Sequence, residues 1–249
     1  MVRRLVFFLA LVGTLLLGSA GAAQAILHGE PDGNAHPYVG MVTDQRFVCS
    51  GSLIEPTIFV TAAHCFEDAG DRVEVTVDPD GFDEDSVFVA GSWYPDPEFC
   101  LACGPGLAGF ATHDVAVVEL DTPIEVSRYA ELPTEEQVDT LPESQRIDMV
   151  GYGLHVRGQD FDEEAFTRFQ APSELEQSSN EIAEDFIKLT ADPAQGKGGT
   201  CFGDSGGPIL LDDTVLAVIS FVTDRNCAGV SYAYRIDSDE ALEFIDEHD

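Results

Sequence analysis

The 249-residue chain carries 46 Asp and Glu against 12 Lys and Arg, a formal net charge of −34 at pH 7. So acidic a surface repels the phosphates of nucleic acids and of anionic lipids, which excludes both as expected partners. It suits a protein kept soluble in strong salt, where screening blunts self-repulsion, and points to a halophilic source, or else to a merely acidic secreted protein.

The chain opens MVRRLVFFLALVGTLLLGSAGAAQA: two arginines, an apolar stretch from Leu5 to Leu17, then small residues ending in Ala23-Gln24-Ala25. That order is the signature of a secretory signal peptide over residues 1–25, with Ile26 starting the mature chain. The apolar stretch is shorter than the ~20 residues of a membrane-spanning helix. The mature protein is therefore expected to be extracellular or periplasmic, with no membrane association and as a monomer. Removing 25 residues from 249 leaves 224, and the charge moves from −34 to −36 because two arginines leave with no acids. A β-rich chain of that length can form one structural unit with a substantial core. All six cysteines fall in the mature part, and an even number in a secreted chain favours disulfides over metal ligation.

Short runs rich in Val, Ile and Phe then recur between turn residues: RFVCSGSLI, TIFVTAAHC, RVEVTVD, SVFVAGSW, DVAVVEL, QRIDMVGYG, DFIKLTAD, GPILL and VLAVISFV. Many short strands punctuated by Gly, Pro and Asp predict a closed or sandwiched all-β fold. Residues 121–145 hold three prolines and no apolar periodicity, which reads as a long surface connection between two β halves. Residues 154–180 are polar and irregular. The C-terminal SDEALEFIDEHD predicts a helix over about 238–248, with Ser238 as N-cap and Ala241, Leu242 and Ile245 on the docking face.

The stretch TCFGDSGGPIL sets Ser205 among Gly203, Gly206 and Gly207, with Asp204 beside it. A serine hydroxyl is a poor nucleophile at neutral pH, so its use in catalysis requires a base within reach and a third group to hold that base. His64 in TAAHC and Asp114 in HDVAVVEL are the candidates. Asp114 stands at the entry to a buried-looking strand, where a carboxylate is costly unless it accepts hydrogen bonds.

TAAHC, HDVAVVEL and GDSGGP, in this order and with comparable gaps, resemble the three catalytic blocks of the trypsin/chymotrypsin-like serine proteases, here as a bacterial or archaeal secreted member. VCSGSLI, MVGYG and VISFV are similar to that family's strand before the histidine, the start of its second barrel and its pocket-lining strand. The resemblance implies two six-stranded antiparallel β-barrels, about 26–125 and 140–235, with the active site in the cleft between them. It makes Ser205 the nucleophile, His64 its base and Asp114 the group that orients the imidazole. Backbone N–H groups of Gly203 and Ser205 would form the oxyanion hole. Asp204, a buried carboxylate, would take as partner the α-ammonium of Ile26, so that signal-peptide removal alone yields the active enzyme.

The same resemblance places Gly199 at the floor of the specificity pocket, where tryptic preference needs an acid. Ser220, Phe221 and Val222 form its wall and Phe202 its rim. Val222 in place of a glycine narrows the pocket and implies small or medium apolar side chains before the cut. Cys49 with Cys65 and Cys201 with Cys227 match family disulfides. Cys100 and Cys103 have no family counterpart and read either as a small local loop or as a metal or thiol site. No cofactor is implied. Asp78, Asp80, Asp83 and Asp85 in DPDGFDED offer hard oxygen ligands to calcium, or form a solvated acidic loop. Two other functions stay open: a proteolytically silent homologue acting as a binding or adhesion module, and an esterase or narrow-specificity processing protease.

Overall fold

The computed structural model describes residues 26–66, 70–101, 103, 111–153, 155–157, 160–162, 166–176, 185–225, 227 and 229–248; the expected signal peptide, residues 1–25, lies outside the described residues. In chain order β1 (Glu30–Pro31) precedes β2 (Val39–Thr43), β3 (Val48–Glu55), β4 (Ile58–Thr61), β5 (Arg72–Thr76), β6 (Val89–Pro95) and β7 (Ala116–Leu120). After a one-turn helix α1 (Gln137–Thr140) come β8 (Arg146–Gly151), the hairpin β9 (His155–Arg157) and β10 (Asp160–Asp162), β11 (Phe169–Glu174), β12 (Phe186–Thr190), β13 (Pro208–Leu211), β14 (Thr214–Val222), β15 (Val230–Arg235) and α2 (Asp239–Asp246).

The first six-stranded set closes into a barrel in the order β2-β3-β4-β7-β6-β5, and the second forms a sheet in the order β1-β11-β8-β13-β14-β15-β12. The fold is thus the expected all-β pair, with one closed barrel and one half-barrel. Just beyond β11, Glu176 forms an isolated bridge to Lys188 of β12, the outer strand on the far side of the sheet. Alternation explains the strands: in β11, Phe169, Ala171 and Ser173 are buried while Gln170, Pro172 and Glu174 are half-buried, as a sheet covered on one face requires.

Three details depart from the sequence reading. β1 pairs with β11, so the segment after Ile26 joins the second barrel and not the first. The connection 121–145 contains α1 and a parallel bridge from Glu131 to Thr214. In α2, Ser238 does accept the Ala241 N–H, but the buried residues are Ala241, Phe244 and Ile245; Leu242 is only half-buried.

The barrels are joined by a side chain that sequence reasoning passed over. Arg168 is fully buried, with Nε 2.8 Å from Asp32 Oδ2. Its remaining N–H groups donate to the carbonyls of Val39, Val77 and Gly33 and to the Tyr152 hydroxyl. One guanidinium therefore ties the N-terminal segment to both barrels. A buried charge so completely satisfied fixes geometry even where its net contribution to stability is small.

Candidate active site

His64 sits in a 3₁₀ turn, Ala63–Phe66, directly after β4. Ala63, Cys65 and Phe66 are buried, and the Cys49–Cys65 disulfide ties the turn to β3. These anchors leave the imidazole partly exposed, with 22% of its side chain accessible. Asp114, just ahead of β7, is completely buried. Its carboxylate accepts the His64 backbone N–H at 3.0 Å and faces the ring Nδ1 at 2.9 Å. It also accepts the Ser220 hydroxyl. Burial alone would raise the Asp114 carboxyl; the facing His64 and the bonds from His64 and Ser220 outweigh it and hold the carboxyl below the usual aspartate range. A carboxylate acceptor selects the tautomer with the proton on Nδ1, which makes Nε2 the basic nitrogen of the ring. Ser220, read as pocket wall, thus turns its hydroxyl to this carboxylate.

Ser205 is half-buried in the turn before β13. Its carbonyl accepts the Ser50 N–H of β3 at 2.8 Å, and the next N–H, of Gly206, donates to Ile219 of β14 at 2.7 Å. Gly206 has φ +78°, and a Cβ built there would collide with Thr61 Oγ1 and the Ser50 carbonyl. Glycine at this position is what lets the serine turn touch the first barrel. Cys65 Sγ comes within 4.0 Å of the Ser205 carbonyl oxygen, so the histidine and serine turns abut across the barrel seam. Among the described residues no hydrogen bond joins the His64 ring to the Ser205 hydroxyl; apo sites commonly tighten only around substrate. The Asp204 N–H donates to the Cys201 carbonyl at 3.1 Å, whereas the flanking N–H groups of Gly203 and Ser205 donate to no acceptor among the described residues.

Asp204 is fully buried and accepts the Cys201 and Gly153 N–H groups, each at 2.8 Å. Gly153 admits the carboxylate because a Cβ there would lie 2.6 Å from Asp204 Cγ. Burial, only partly offset by the two N–H bonds, pushes the carboxyl up to about 7. Ile26 is fully buried in the core of the second barrel, worth about 2 kcal/mol of apolar transfer. Leu27 and Gly199 exchange two backbone hydrogen bonds, at 2.7 and 3.1 Å. Residues 26–27 are thereby held beside the serine loop, although Ile26 is not among the hydrogen-bond partners of Asp204.

Around this loop Phe202 is 45% exposed. Phe221 stacks on Tyr232 with ring centroids 5.0 Å apart, and Val222 pairs with Ser231 across β14 and β15. A Cβ built on Gly199 would stand 2.8 Å from Ala191 Cβ, leaving little room for an acid there. The Thr200 hydroxyl, which sequence reasoning missed, is buried beside Gly199 with no hydrogen-bond partner among the described residues. Cys201 and Cys227 form a disulfide, as do Cys100 and Cys103. The second pair closes a local loop whose Cys100 exchanges two backbone bonds with Thr112, two residues ahead of Asp114. In the acidic loop, Asp78 and Asp83 cap the N–H groups of Asp80 and Glu84. Among the described residues no group of three or more His, Cys, Asp or Glu is placed to hold a metal ion.

A profile of the family described as Trypsin matches residues 28–245. The trypsin of Phaedon cochleariae is 25% identical over 219 residues, covering 82% of this chain and 80% of that protein. Among solved structures, one titled HL collagenase superposes with a TM-score of 0.67 at 22% identity, over 91% of this chain and 96% of its own. A scabies mite inactivated protease paralogue superposes with a TM-score of 0.69 at 15% identity, over 89% and 97% of the two chains. Both are likenesses of fold. Since one bears a title declaring it inactivated, two barrels do not by themselves carry an activity; side chains must.

Proposed function

The chain belongs to the trypsin family of serine endopeptidases, and from that premise we propose that it cleaves proteins or peptides by acyl transfer through Ser205. In this reading His64 Nε2 takes the Ser205 proton as the oxygen attacks the carbonyl carbon, and Asp114 holds the ring and stabilises the imidazolium. The carbonyl oxygen, gaining charge, moves between the N–H groups of Gly203 and Ser205. The imidazolium then gives its proton to the departing amine, and water repeats the sequence in reverse to free the acid. The family's chemistry needs no cofactor.

The observation that carries this reading is the buried Asp114 carboxylate paired with a partly exposed imidazole whose turn abuts that of Ser205. A serine-directed fluorophosphonate that labels the wild type and spares Ser205→Ala supports it; no labelling of the wild type favours the silent binding module. Turnover of simple esters without cleavage of a peptide library favours the esterase.

Finer features stay part of the proposal. Small or medium apolar residues before the cut follow from Gly199 and Val222, and cleavage-site profiling tests this. Secretion after loss of residues 1–25 and pairing of the Ile26 ammonium with Asp204 are tested by sequencing the secreted N-terminus: a start at any residue other than Ile26 defeats the pairing. Three disulfides and the absence, among the described residues, of a helix long and apolar enough to cross a membrane accord with an extracellular setting. A salt-rich source rests on composition alone, and relatives such as the Phaedon cochleariae enzyme are animal proteins, which gives no support to a bacterial or archaeal origin.

A further inference from the structure

One residue of the first barrel holds both carbonyls that follow the two N–H groups assigned to the oxyanion. Ser50, in β3, is fully buried. Its hydroxyl accepts the Tyr152 N–H at 2.9 Å and donates to the Gly203 carbonyl at 2.9 Å. Its own N–H donates to the Ser205 carbonyl at 2.8 Å. A hydroxyl has a single proton. With the Tyr152 N–H occupying one lone pair of Oγ, that proton is directed at Gly203, so the bond has one sense only.

The consequence follows from peptide planarity. Fixing the Gly203 carbonyl fixes the plane of the peptide between Gly203 and Asp204. Gly203 is at φ +95°, where glycine has wide freedom to rotate. The Asp204 N–H bond to the Cys201 carbonyl holds one side of this peptide; without the Ser50 hold on the carbonyl side it is freer to turn, which alters the angle between the N–H groups of Gly203 and Ser205. We propose that Ser50 is a positioning residue for the oxyanion hole, clamping the Gly203 carbonyl through its side chain and the Ser205 carbonyl through its main chain. The inference rests on the function proposed above. Ser50 touches no reacting atom; it acts through Gly203, and it makes the donor geometry of the second barrel depend on the seating of the first.

The test compares wild type, Ser50→Ala and Ser50→Thr, with kcat expressed per titrated active site so that any unfolded fraction drops out. Losing an oxyanion donor outright typically costs about 10²- to 10³-fold in kcat. Loosening one donor should cost less, about tenfold, with KM held within about twofold, because the ground-state carbonyl depends little on the hole. A peptide aldehyde whose adduct oxygen enters the hole should bind Ser50→Ala about tenfold more weakly, while the matching peptide acid binds unchanged. Ser50→Thr, which keeps the hydroxyl, should stay within about threefold of wild type. Unchanged kcat and aldehyde affinity in Ser50→Ala would overturn the inference, as would a loss carried in KM alone. A wild type with no Ser205-dependent turnover would instead overturn the proposed function, and this role with it.

Discussion

The guanidinium of Arg168 and the carboxylate of Asp32 meet at 2.8 Å with both side chains wholly removed from solvent. Replacing Arg168 with Met leaves the buried Asp32 carboxylate with His36 as its remaining partner and should cost about 3 kcal/mol, or roughly 10 °C in Tm for a chain of this size. Burial raises the Asp32 carboxyl, but His36 and Arg168 outweigh it and lower its pKa. Its contribution is thus complete above the ordinary aspartate range and is lost as pH falls through the lowered folded value. Thermal melts of the variant and wild type should differ most at neutral pH and converge in acid.

Asp114→Asn keeps the shape but can present an amide N–H to Nδ1, which selects the wrong imidazole tautomer. A drop in kcat of about 10⁴ is expected on peptide substrates. Ser220→Ala removes one donor to the same carboxylate and should give a far smaller loss, about tenfold, as expected for one hydrogen bond to a charged group.

Gly206→Ala meets both a positive φ and a wall made by Thr61 and Ser50. Strain and overpacking together should destabilise the fold by about 3 kcal/mol, seen in urea titration as a lower midpoint at unchanged slope. The same variant should label poorly with fluorophosphonate.

Asp204 provides a pH test of the proposed Ile26 pairing. Its carboxyl sits at about 7 in the fold against about 4 when unfolded. Across that interval the folded state binds more protons, so stability falls as pH rises. An Ile26 ammonium would return the carboxyl to its charged form and remove the fall. A chain beginning at Ile26 and one carrying an extra Gly before it should therefore melt alike near about pH 4 and diverge above about pH 7, the extended chain lower by roughly 5 °C or more. Equal melts across the range would count against the pairing.

His64, Asp114, Ser205 and Asp204 were legible because each lies in a short motif whose neighbours constrain it locally. Ser50 and Arg168 were not. The Ser50 side chain acts on residues 102 and 153 positions away, and Arg168 finds Asp32 at a separation of 136; no local pattern encodes such meetings. The two β halves could be read from strand rhythm and composition, but the placement of residues 26–31 on the second barrel depends on pairing with β11, which rhythm does not report. In α2 the docking face is the i, i+3, i+4 set from Ala241, hence Phe244 and Ile245; choosing Leu242 mistook the helical phase.

The first strand leans on the second barrel, while His248, just past the last helix, pairs with Glu119 at 2.9 Å and stacks on Tyr94 of the first. Each half wears the other's tail. Severing the chain near residue 134 would yield two fragments that complete one another only by trading arms, so they should recombine in solution instead of maturing alone.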